Sequence, residues 1–312
     1  MENPLVSVII PNYNHALYLE QRIESVLNQT YDNFEVIILD DKSSDNSVDI
    51  INRYRTNPHV SNIIVNDINS GSTFVQWNRG MEMSKGDIIW IAESDDYCQP
   101  NFLEECVREY CNFPECVIVY CTSQYIDAKN NEIETYNHYD EPIYYLHGAD
   151  FIKERNAFGC AIWNASSAIF NKAVALSVDK RYQSFKMCGD KLFWILMAEN
   201  GNIVHINKAM NFFRQHNNKV SPKRFCDGTW LTEERKIYEY QCSRGYLCGV
   251  RRGFVLSLYY EKIKNGDFDT PLIRDDLMKL WGFTNPYKIF ILKILSRLYQ
   301  YYRIYIIHKR PL

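Results

Sequence analysis

The sequence predicts an α/β fold, in which a mostly parallel central sheet is flanked by helices and followed by a helical C-terminal extension. In the first half of the 312-residue chain, short apolar runs rich in β-branched residues alternate with amphipathic segments of helical period. Strands and helices that alternate at this spacing imply parallel strands joined by crossover helices. From about Thr229 the pattern is helical, and we therefore divide the chain into residues 1–220 and residues 221–312.

Four strands are predicted in the first hundred residues, because each is a short apolar run bounded by turn-forming residues. They are Val6–Ile10, Phe34–Leu39, Ile63–Val65 and Asp87–Ala92. The helices between these strands are predicted to begin near Asn14, near Asn46 and just before Phe74. Asn14 suits the N-cap position because its side-chain oxygen can accept a hydrogen bond from a backbone N–H group of the first turn.

Later elements alternate less regularly. Strands are predicted at Cys116–Tyr120, Ser167–Phe170 and Met210–Arg214, and helices after Pro100 and from Gly189. The stretch Thr122–His147 is polar, rich in tyrosine and without clear periodicity, and we predict that it crosses the ligand cleft.

Polar residues follow three of the predicted strands at their carboxyl ends. They are Pro11–Asn14, Asp40–Asp45 and Glu93–Asp96. Ligands of open parallel sheets bind beyond the carboxyl ends of the strands. We therefore expect these three segments to line one ligand-binding edge.

Composition narrows the class of partner and the compartment. The net charge of −3 gives no reason to expect a nucleic-acid partner. The ten cysteines form no C-x-x-C pair and show no zinc-ligand spacing, and several lie in apolar runs, so we expect reduced thiols and a cytoplasmic location. The apolar run Val6–Ile10 is too short for a signal peptide or a membrane span.

Asp95 and Asp96 are adjacent carboxylates at the end of a predicted buried strand. Such pairs hold Mg²⁺ or Mn²⁺, with phosphate oxygens of a ligand completing the coordination. The chain contains no glycine-rich phosphate loop, so a bound nucleotide diphosphate would require this divalent cation. The pair is equally consistent with an acidic turn that initiates the helix after Pro100.

Four further residues are candidates on residue type and position. Asp41 can read a uracil ring nitrogen, and Tyr13 can stack on that ring. Asp190, which follows a glycine at a predicted helix start, can act as a general base toward an acceptor hydroxyl. His216 lies in a polar loop. The alternatives are a cap for Asp41 or Asp190, a turn aromatic for Tyr13 and a solvated histidine for His216.

Several motifs occur together and in a fixed order. They are VSVIIPNYN (6–14), SVLNQTY (25–31), FEVIILDDKSSD (34–45), NSG (69–71), NRG (78–80), KGDIIWIAESDD (85–96), GD (189–190) and FRQH (213–216). In these motifs the chain resembles glycosyltransferase family 2 over roughly its first 220 residues.

The resemblance implies a GT-A fold, a nucleotide-sugar donor and inversion at the anomeric carbon. Position by position, it implies that Pro11, Tyr13 and Asp41 hold the nucleotide base. It also implies that Asp95 faces the ribose and the metal, that Asp96 and His216 are further metal ligands, and that His216 closes over the diphosphate. The general base implied by the resemblance is Asp190.

The chain departs from the family pattern in two places. Glu93 stands where the family often has Asp, and Gln76-Trp77 stands where it often has Ala-Arg. The first departure weakens a metal-binding role for Glu93, and the second removes an arginine that would contact the donor.

The segment 285–312 contains no acidic residue but six basic residues: Lys288, Lys293, Arg297, Arg303, Lys309 and Arg310. On a helical wheel Lys293, Arg297 and Arg303 lie opposite an apolar side that holds Ile291, Ile294, Leu295, Leu298, Tyr302 and Tyr305. This pattern is typical of a helix on an anionic membrane surface, and a helix packed on protein is the alternative.

The sequence therefore predicts an inverting glycosyltransferase peripheral to the inner face of the plasma membrane. A nucleotide-sugar donor, most often UDP-linked in this family, would give its sugar to a glycan or lipid-linked acceptor in surface polysaccharide synthesis. A nucleotidyltransferase and an inactive nucleotide-sugar-binding module are the alternatives. A nucleotidyltransferase would require a Gly/Arg/Lys-rich phosphate loop after the first strand, and residues 11–15 supply none.

Overall fold

A computed structural model describes residues 3–133, 141–216 and 225–302. Its strands are β1 (Val6–Asn12), β2 (Phe34–Asp40), β3 (Val60–Val65), β4 (Ile88–Ile91), β5 (Tyr97–Cys98), β6 (Cys116–Ile126), β7 (Ile143–Leu146), β8 (Ala168–Asn171) and β9 (Asn202–Arg214). Within these residues the strands form one sheet in the order β3-β2-β1-β4-β8-β6-β9-β5, and β7 also pairs with β9.

Helices connect and cover this sheet. They are α1 (Ala16–Leu27), α2 (Ser47–Asn52), α3 (Thr73–Met83), α4 (Phe102–Asn112), α5 (Gly148–Asp150), α6 (Lys172–Ser177), α7 (Gly189–Ala198), α8 (Thr229–Ser243), α9 (Gly249–Asn265), α10 (Pro271–Leu280) and α11 (Pro286–Tyr302). A π-helical segment, Phe151–Asn156, continues α5, and 3₁₀ turns occupy Ala165–Ser167 and Lys180–Ser184.

The first half of the sheet is parallel and buried on both faces. β1 lies between β2 and β4, and every residue of these three strands is buried. Helices α3 and α7 cover one face with Trp77 and Trp194, and helices α1 and α4 cover the other with Leu19 and Phe102. Burial on both faces explains why these strands are nearly continuous apolar runs.

The second half of the sheet is mixed. β8 pairs antiparallel with both β4 and β6, whereas β6 and β9 run parallel. The predicted α/β fold, with a mostly parallel central sheet and C-terminal helices, is confirmed.

The turn after β1 differs from the prediction. The strand continues through Pro11 to Asn12, and His15 rather than Asn14 is the N-cap of α1. Asn14 has a φ of 56°, and its side-chain oxygen accepts a hydrogen bond from the backbone N–H of Ser44 at 2.7 Å. Asparagine tolerates this left-handed conformation, so Asn14 ties two ligand-edge loops together instead of capping a helix.

The segment predicted to cross the cleft has regular structure at both ends. β6 extends to Ile126, and β7 pairs with the first part of β9, where Leu146 faces Ile203. The prediction is wrong for β7, because this pairing lies at the start of β9, far from its carboxyl end. Residues 134–140 lie outside the described residues.

The helices from α8 onward pack around a cluster of their own, which includes Tyr259, Trp281 and Leu292. α11 contacts α9 through Leu295 and Tyr299, and a second face, with Tyr287, Phe290, Ile294, Leu298 and Tyr301, is exposed. Within the described ranges, no helix is both long enough and apolar enough to span a bilayer. The division near residue 220 stays a prediction.

Candidate active site

The loop after β4 carries the acidic motif. The indole N–H of Trp77 donates to the Glu93 carboxylate at 2.9 Å, and Arg22 donates to the Glu93 backbone carbonyl, also at 2.9 Å. Burial raises the pKa of Glu93 to about 8, and the negative charge of Asp95 adds to the rise. Glu93 is therefore mostly protonated at neutral pH and faces a neutral donor.

Asp95 lies beside two histidines. The Asp95 Oδ2 atom is 3.0 Å from Nε2 of His216, and the side chains of Asp95, His216 and His15 place one ligand atom each within 4.8 Å of one another. The ring of His216 also contacts Tyr18, with ring centroids 5.1 Å apart. One carboxylate and two imidazoles can together bind a divalent transition-metal ion. The sequence did not identify His15 as a member of this group.

Asp96 is not part of that group. Its side chain is fully buried, and its Oδ2 accepts hydrogen bonds from Asn164 Nδ2 at 2.7 Å and Ser166 Oγ at 2.8 Å. Its Oδ1 accepts from the backbone N–H of Arg214 at 3.0 Å, and Arg22 Nη2 lies 3.9 Å from Oδ2. These contacts support a structural role, and metal binding by Asp96 stays a prediction.

Arg214 fixes the loops around the group. Its Nε atom donates to the backbone carbonyl of Asp95 at 2.7 Å, and its two terminal nitrogens donate to Asn130 and Gln21. The guanidinium also lies over the ring of Tyr18, 4.5 Å from the centroid. The FRQH motif contains this arginine, but sequence reasoning gave it no role.

The residues implied for the nucleotide base lie at the carboxyl ends of β1 and β2. Asp41 is buried and accepts hydrogen bonds from Ser70 and from Gln76, the latter at 2.9 Å. Pro11 is buried within β1, whereas the ring of Tyr13 is 49% exposed. A half-exposed aromatic beside a buried carboxylate is suited to holding a planar base.

Asp190 lies in the first turn of α7. Its Oδ1 accepts from the backbone N–H of Lys191 at 2.7 Å. Burial raises the pKa of Asp190 to about 7, the Lys191 N–H opposes this rise, and the Glu234 carboxylate adds to it. A Cβ on Gly189 would lie 2.5 Å from the ring of Phe74, so glycine is required next to this aspartate.

Two glutamates of α8 hold the turn that carries Asp190. The Glu233 carboxylate accepts from three consecutive backbone N–H groups, those of residues 186–188, at 2.6 to 3.0 Å. Glu234 forms a buried ion pair with Lys191 at 2.7 Å and accepts from Tyr259 at 2.6 Å. Sequence reasoning missed both residues because no local pattern relates them to α7.

The start of α7 lies at the same edge of the sheet as the nucleotide-side residues. Gly189 packs against Phe74 at the start of α3, and Ser72 donates to the backbone carbonyl of Gln183. α3 follows directly after Ser70, which contacts Asp41. The candidates for the general base, for nucleotide binding and for metal binding therefore lie at one end of the sheet.

Comparison with known sequences identifies the family. The profile described as Glycosyl transferase family 2 matches residues 7–169. The chain belongs to glycosyltransferase family 2. The matched range includes Asp41, Asp95 and Asp96 but ends before Asp190 and His216.

Several curated glycosyltransferases are similar to the chain. Chondroitin synthase of Escherichia coli is 31% identical over 225 residues, which cover 71% of this chain and 30% of that protein. Hyaluronan synthase of Pasteurella multocida is 30% identical over 225 residues, 71% of this chain and 21% of that protein. The chain thus spans less than a third of the length of these two relatives. Glycosyltransferase GlyG of Streptococcus pneumoniae is 27% identical over 269 residues, 79% of this chain and 82% of that protein.

Solved glycosyltransferase structures share the fold. S. aureus TarS 1–349 in complex with UDP matches 96% of this chain and 73% of its own, with a TM-score of 0.58 and 18% identity. The mannosyltransferase PcManGT from Pyrobaculum calidifontis, in complex with GDP-Man and Mn²⁺, covers 98% of this chain and 82% of its own, with a TM-score of 0.51 and 15% identity. The GT-A fold implied by the sequence is confirmed.

The two neighbouring aspartates should respond differently to substitution. Asp96→Asn removes a buried charge that faces Arg22 and places an amide NH₂ group where one carboxylate oxygen accepts hydrogen bonds. We expect it to lower the free energy of unfolding by about 3–5 kcal/mol, the usual cost of breaking a buried ion pair. Asp95→Asn keeps a hydrogen bond to His216 and should change stability by less than about 1 kcal/mol. Urea unfolding in the presence of EDTA measures both.

Because EDTA removes metal ions, stability in this experiment reports packing alone. Equal losses in the two variants, or no loss in Asp96→Asn, would contradict the structural role of Asp96.

Proposed function

We propose that this chain is an inverting glycosyltransferase that moves a sugar from a nucleoside-diphosphate donor to a hydroxyl of a glycan or lipid-linked acceptor, in surface polysaccharide synthesis. The observation that carries the proposal is Asp190. This aspartate is partly exposed, has a pKa near 7 and lies at the same sheet edge as the Asp95 and Asp41 sites. A carboxylate with such a pKa is half ionised near neutral pH, as a general base requires.

The donor is proposed to be a UDP-sugar. The base would lie at Tyr13 and Asp41, with Pro11 shaping the turn below it, and the diphosphate would extend toward Asp95. UDP is the nucleotide in the TarS complex, whose fold this chain shares. The Gln76 amide donates to one oxygen of the Asp41 carboxylate, and the other oxygen accepts a hydrogen bond from the Ser70 hydroxyl at 2.7 Å.

A divalent cation is proposed to bind at Asp95 and His216, with His15 as a third ligand. The donor set of one oxygen and two nitrogens fits Mn²⁺ better than Mg²⁺, which prefers oxygen ligands. The ion, when bound, neutralises the diphosphate that leaves. Asp96 would hold the loop beneath the site through its bonds to Asn164, Ser166 and Arg214.

In the proposed reaction, the acceptor hydroxyl oxygen attacks C1 of the donor sugar from the face opposite the diphosphate. The C1–O bond to the diphosphate breaks as the new glycosidic bond forms, which inverts the configuration. Asp190 accepts the hydroxyl proton. Glu233, through the backbone N–H groups of residues 186–188, fixes the turn from which Asp190 acts.

Metal dependence follows from the Asp95 group. We expect UDP to bind with Mn²⁺ and to lose most of its affinity with EDTA or in Asp95→Ala, because no cation would then be held to neutralise the diphosphate. Isothermal titration calorimetry measures the dissociation constants. His59→Ala provides a matched control, because His59 stacks on Phe34 away from the site. Equal UDP affinity with and without Mn²⁺ would contradict the metal site.

Turnover should depend on the ionisation of Asp190. We expect Asp190→Asn to lower the rate of donor turnover by roughly 10²–10⁴-fold, the usual contribution of a general base, with UDP affinity retained. Because the pKa is raised to about 7, activity of the native protein should rise as the pH increases through 7. Release of UDP from a panel of UDP-sugars, followed from pH 5.5 to 8.5, measures this.

Asp190→Asn also removes a desolvated charge, so its melting temperature at pH 8 should not fall. Near-normal turnover by this variant, or activity that does not change across pH 7, would show that Asp190 is not the general base.

The location is proposed to be the inner face of the plasma membrane. α11 uses one side to pack on α9, and its exposed side carries Phe290, Ile294 and Leu298, flanked by Lys293 and Arg297. Exposed aromatic and aliphatic side chains beside basic ones fit an anionic lipid surface. The predicted contributions of Arg303, Lys309 and Arg310 lie outside the described residues.

Membrane binding should depend on both kinds of side chain. We expect Ile294→Asp/Leu298→Asp to abolish binding to vesicles with 30% phosphatidylserine. Lys293→Gln/Arg297→Gln should weaken it by about 30-fold, at about 1 kcal/mol per basic residue, and high salt should mimic this. Vesicle co-sedimentation measures binding.

Leu272→Asp on α10 is the control, because Leu272 is also an exposed leucine. If the native protein ignores anionic vesicles, and the apolar substitutions instead dissociate a dimer in sedimentation equilibrium, α11 is a protein interface and the membrane proposal fails.

A further inference from the structure

Trp163 differs from most of the other tryptophans in its exposure. Four of the six in the chain, at positions 77, 90, 194 and 281, are at most 2% exposed, whereas Trp163 is 50% exposed. It lies on residues 157–164, the segment that connects the π-helical stretch to the 3₁₀ turn before β8. An indole left half in water at this place in the fold requires an explanation, because burying it would be favourable.

The ring of Trp163 is held in a fixed orientation. It stacks on Tyr125, with centroids 5.3 Å apart and an interplanar angle of 28°, and Tyr125 in turn contacts Phe213 at 5.3 Å. Tyr125 belongs to β6 and Phe213 to β9, so two paired strands support the stack. One face of the indole is covered by Tyr125, and the remaining exposure presents a flat, preorganised apolar surface.

The segment that carries Trp163 runs between the two chemical parts of the site. At one end, Asn156 donates to the backbone carbonyl of Lys191, next to Asp190, and accepts from the backbone N–H of Ala161. At the other end, Asn164 donates to Asp96 at 2.7 Å. Trp163 therefore lies on the stretch that joins the base side to the metal side.

The same placement separates Trp163 from the nucleotide. The base-binding candidates Tyr13 and Asp41 follow β1 and β2, whereas Trp163 is supported by β6 and β9 on the other side of β4. In a single displacement the acceptor must approach C1 of the donor sugar opposite the diphosphate and next to the proposed general base, Asp190. The segment that carries Trp163 contacts Lys191, next to Asp190, and its ring is supported near the carboxyl ends of β6 and β9, apart from the candidates for the nucleotide base.

We propose that the exposed face of Trp163 is an acceptor subsite that stacks on a sugar ring of the acceptor glycan. The C–H groups on one face of a pyranose form an apolar surface that matches an indole ring, and stacking requires no charge on the sugar. This inference rests on the proposed transferase function and adds to it the class of acceptor. The acceptor presents a sugar residue, and not only a lipid phosphate, to the site.

The protein is labelled with ¹⁵N at its indole nitrogens, loaded with UDP and Mg²⁺, which unlike Mn²⁺ is diamagnetic and does not broaden the signals, and titrated with soluble hexasaccharides of glucose, of N-acetylglucosamine, and of alternating uronic acid and N-acetylhexosamine. The Trp163 signal is assigned from Trp163→Phe. We expect this signal to shift with at least one hexasaccharide.

Variants separate stacking from folding. Trp163→Ala should weaken binding of that hexasaccharide by about tenfold, the loss expected for one aromatic contact, whereas Trp163→Phe should stay within about threefold of the native protein. Tyr145→Ala is the matched control. Tyr145 is 51% exposed and contacts Phe113, with ring centroids 3.8 Å apart, at the opposite end of the sheet. Tyr145→Ala should leave hexasaccharide binding unchanged.

UDP affinity should be the same in all of these proteins, which shows that each is folded. A Trp163 signal that stays fixed with every hexasaccharide, or equal binding by Trp163→Ala, would overturn the acceptor subsite while leaving the transferase proposal intact. Failure of the native protein to bind UDP would instead contradict the proposed function.

Discussion

The hydrogen bonds and the ion pair of the buried Asp96 carboxylate are the interactions on which the candidate site depends. The carboxylate receives hydrogen bonds from the segment before β8 and from the backbone at the end of β9, and it lies 3.9 Å from Arg22 of α1. A buried charge is costly unless its partners are in place, so these elements must all assemble around it. The bond to the Arg214 N–H fixes the chain two residues before His216, and this is how Asp95 and His216 come within 3.0 Å.

The two departures from the family pattern prove to be one linked pair of changes. Trp77, where an arginine is common, donates its indole N–H to Glu93, where an aspartate is common. The two changed positions therefore contact each other directly. The neighbouring Gln76 donates to Asp41. Both replacements therefore give an acidic side chain of the site an uncharged hydrogen-bond donor.

Periodicity and turn chemistry predicted most of the central sheet and the helices that cover it, because those signals are local. They failed where distant residues decide. The burial of Asp96 depends on Arg214, 118 positions away, and no local pattern distinguishes Asp96 from Asp95. His15 lies near Asp95 and directly follows Asn14, whose left-handed conformation turns the chain after β1. The motif resemblance paired Asp95 with His216, which spacing alone would not have done.

The hydrogen bonds from the backbone of residues 186–188 to Glu233 have a consequence for how sequences with this fold can diverge. The family profile ends at residue 169, whereas three backbone groups beside the proposed base are completed by a carboxylate from α8. The residues proposed for donor recognition and the residue that aligns the proposed general base are therefore encoded in separate stretches of chain. A chimaera that joins residues 1–220 of this chain to the C-terminal helices of another family member would keep the residues proposed for the donor and still misplace the proposed general base, unless an acidic side chain returned to the same turn.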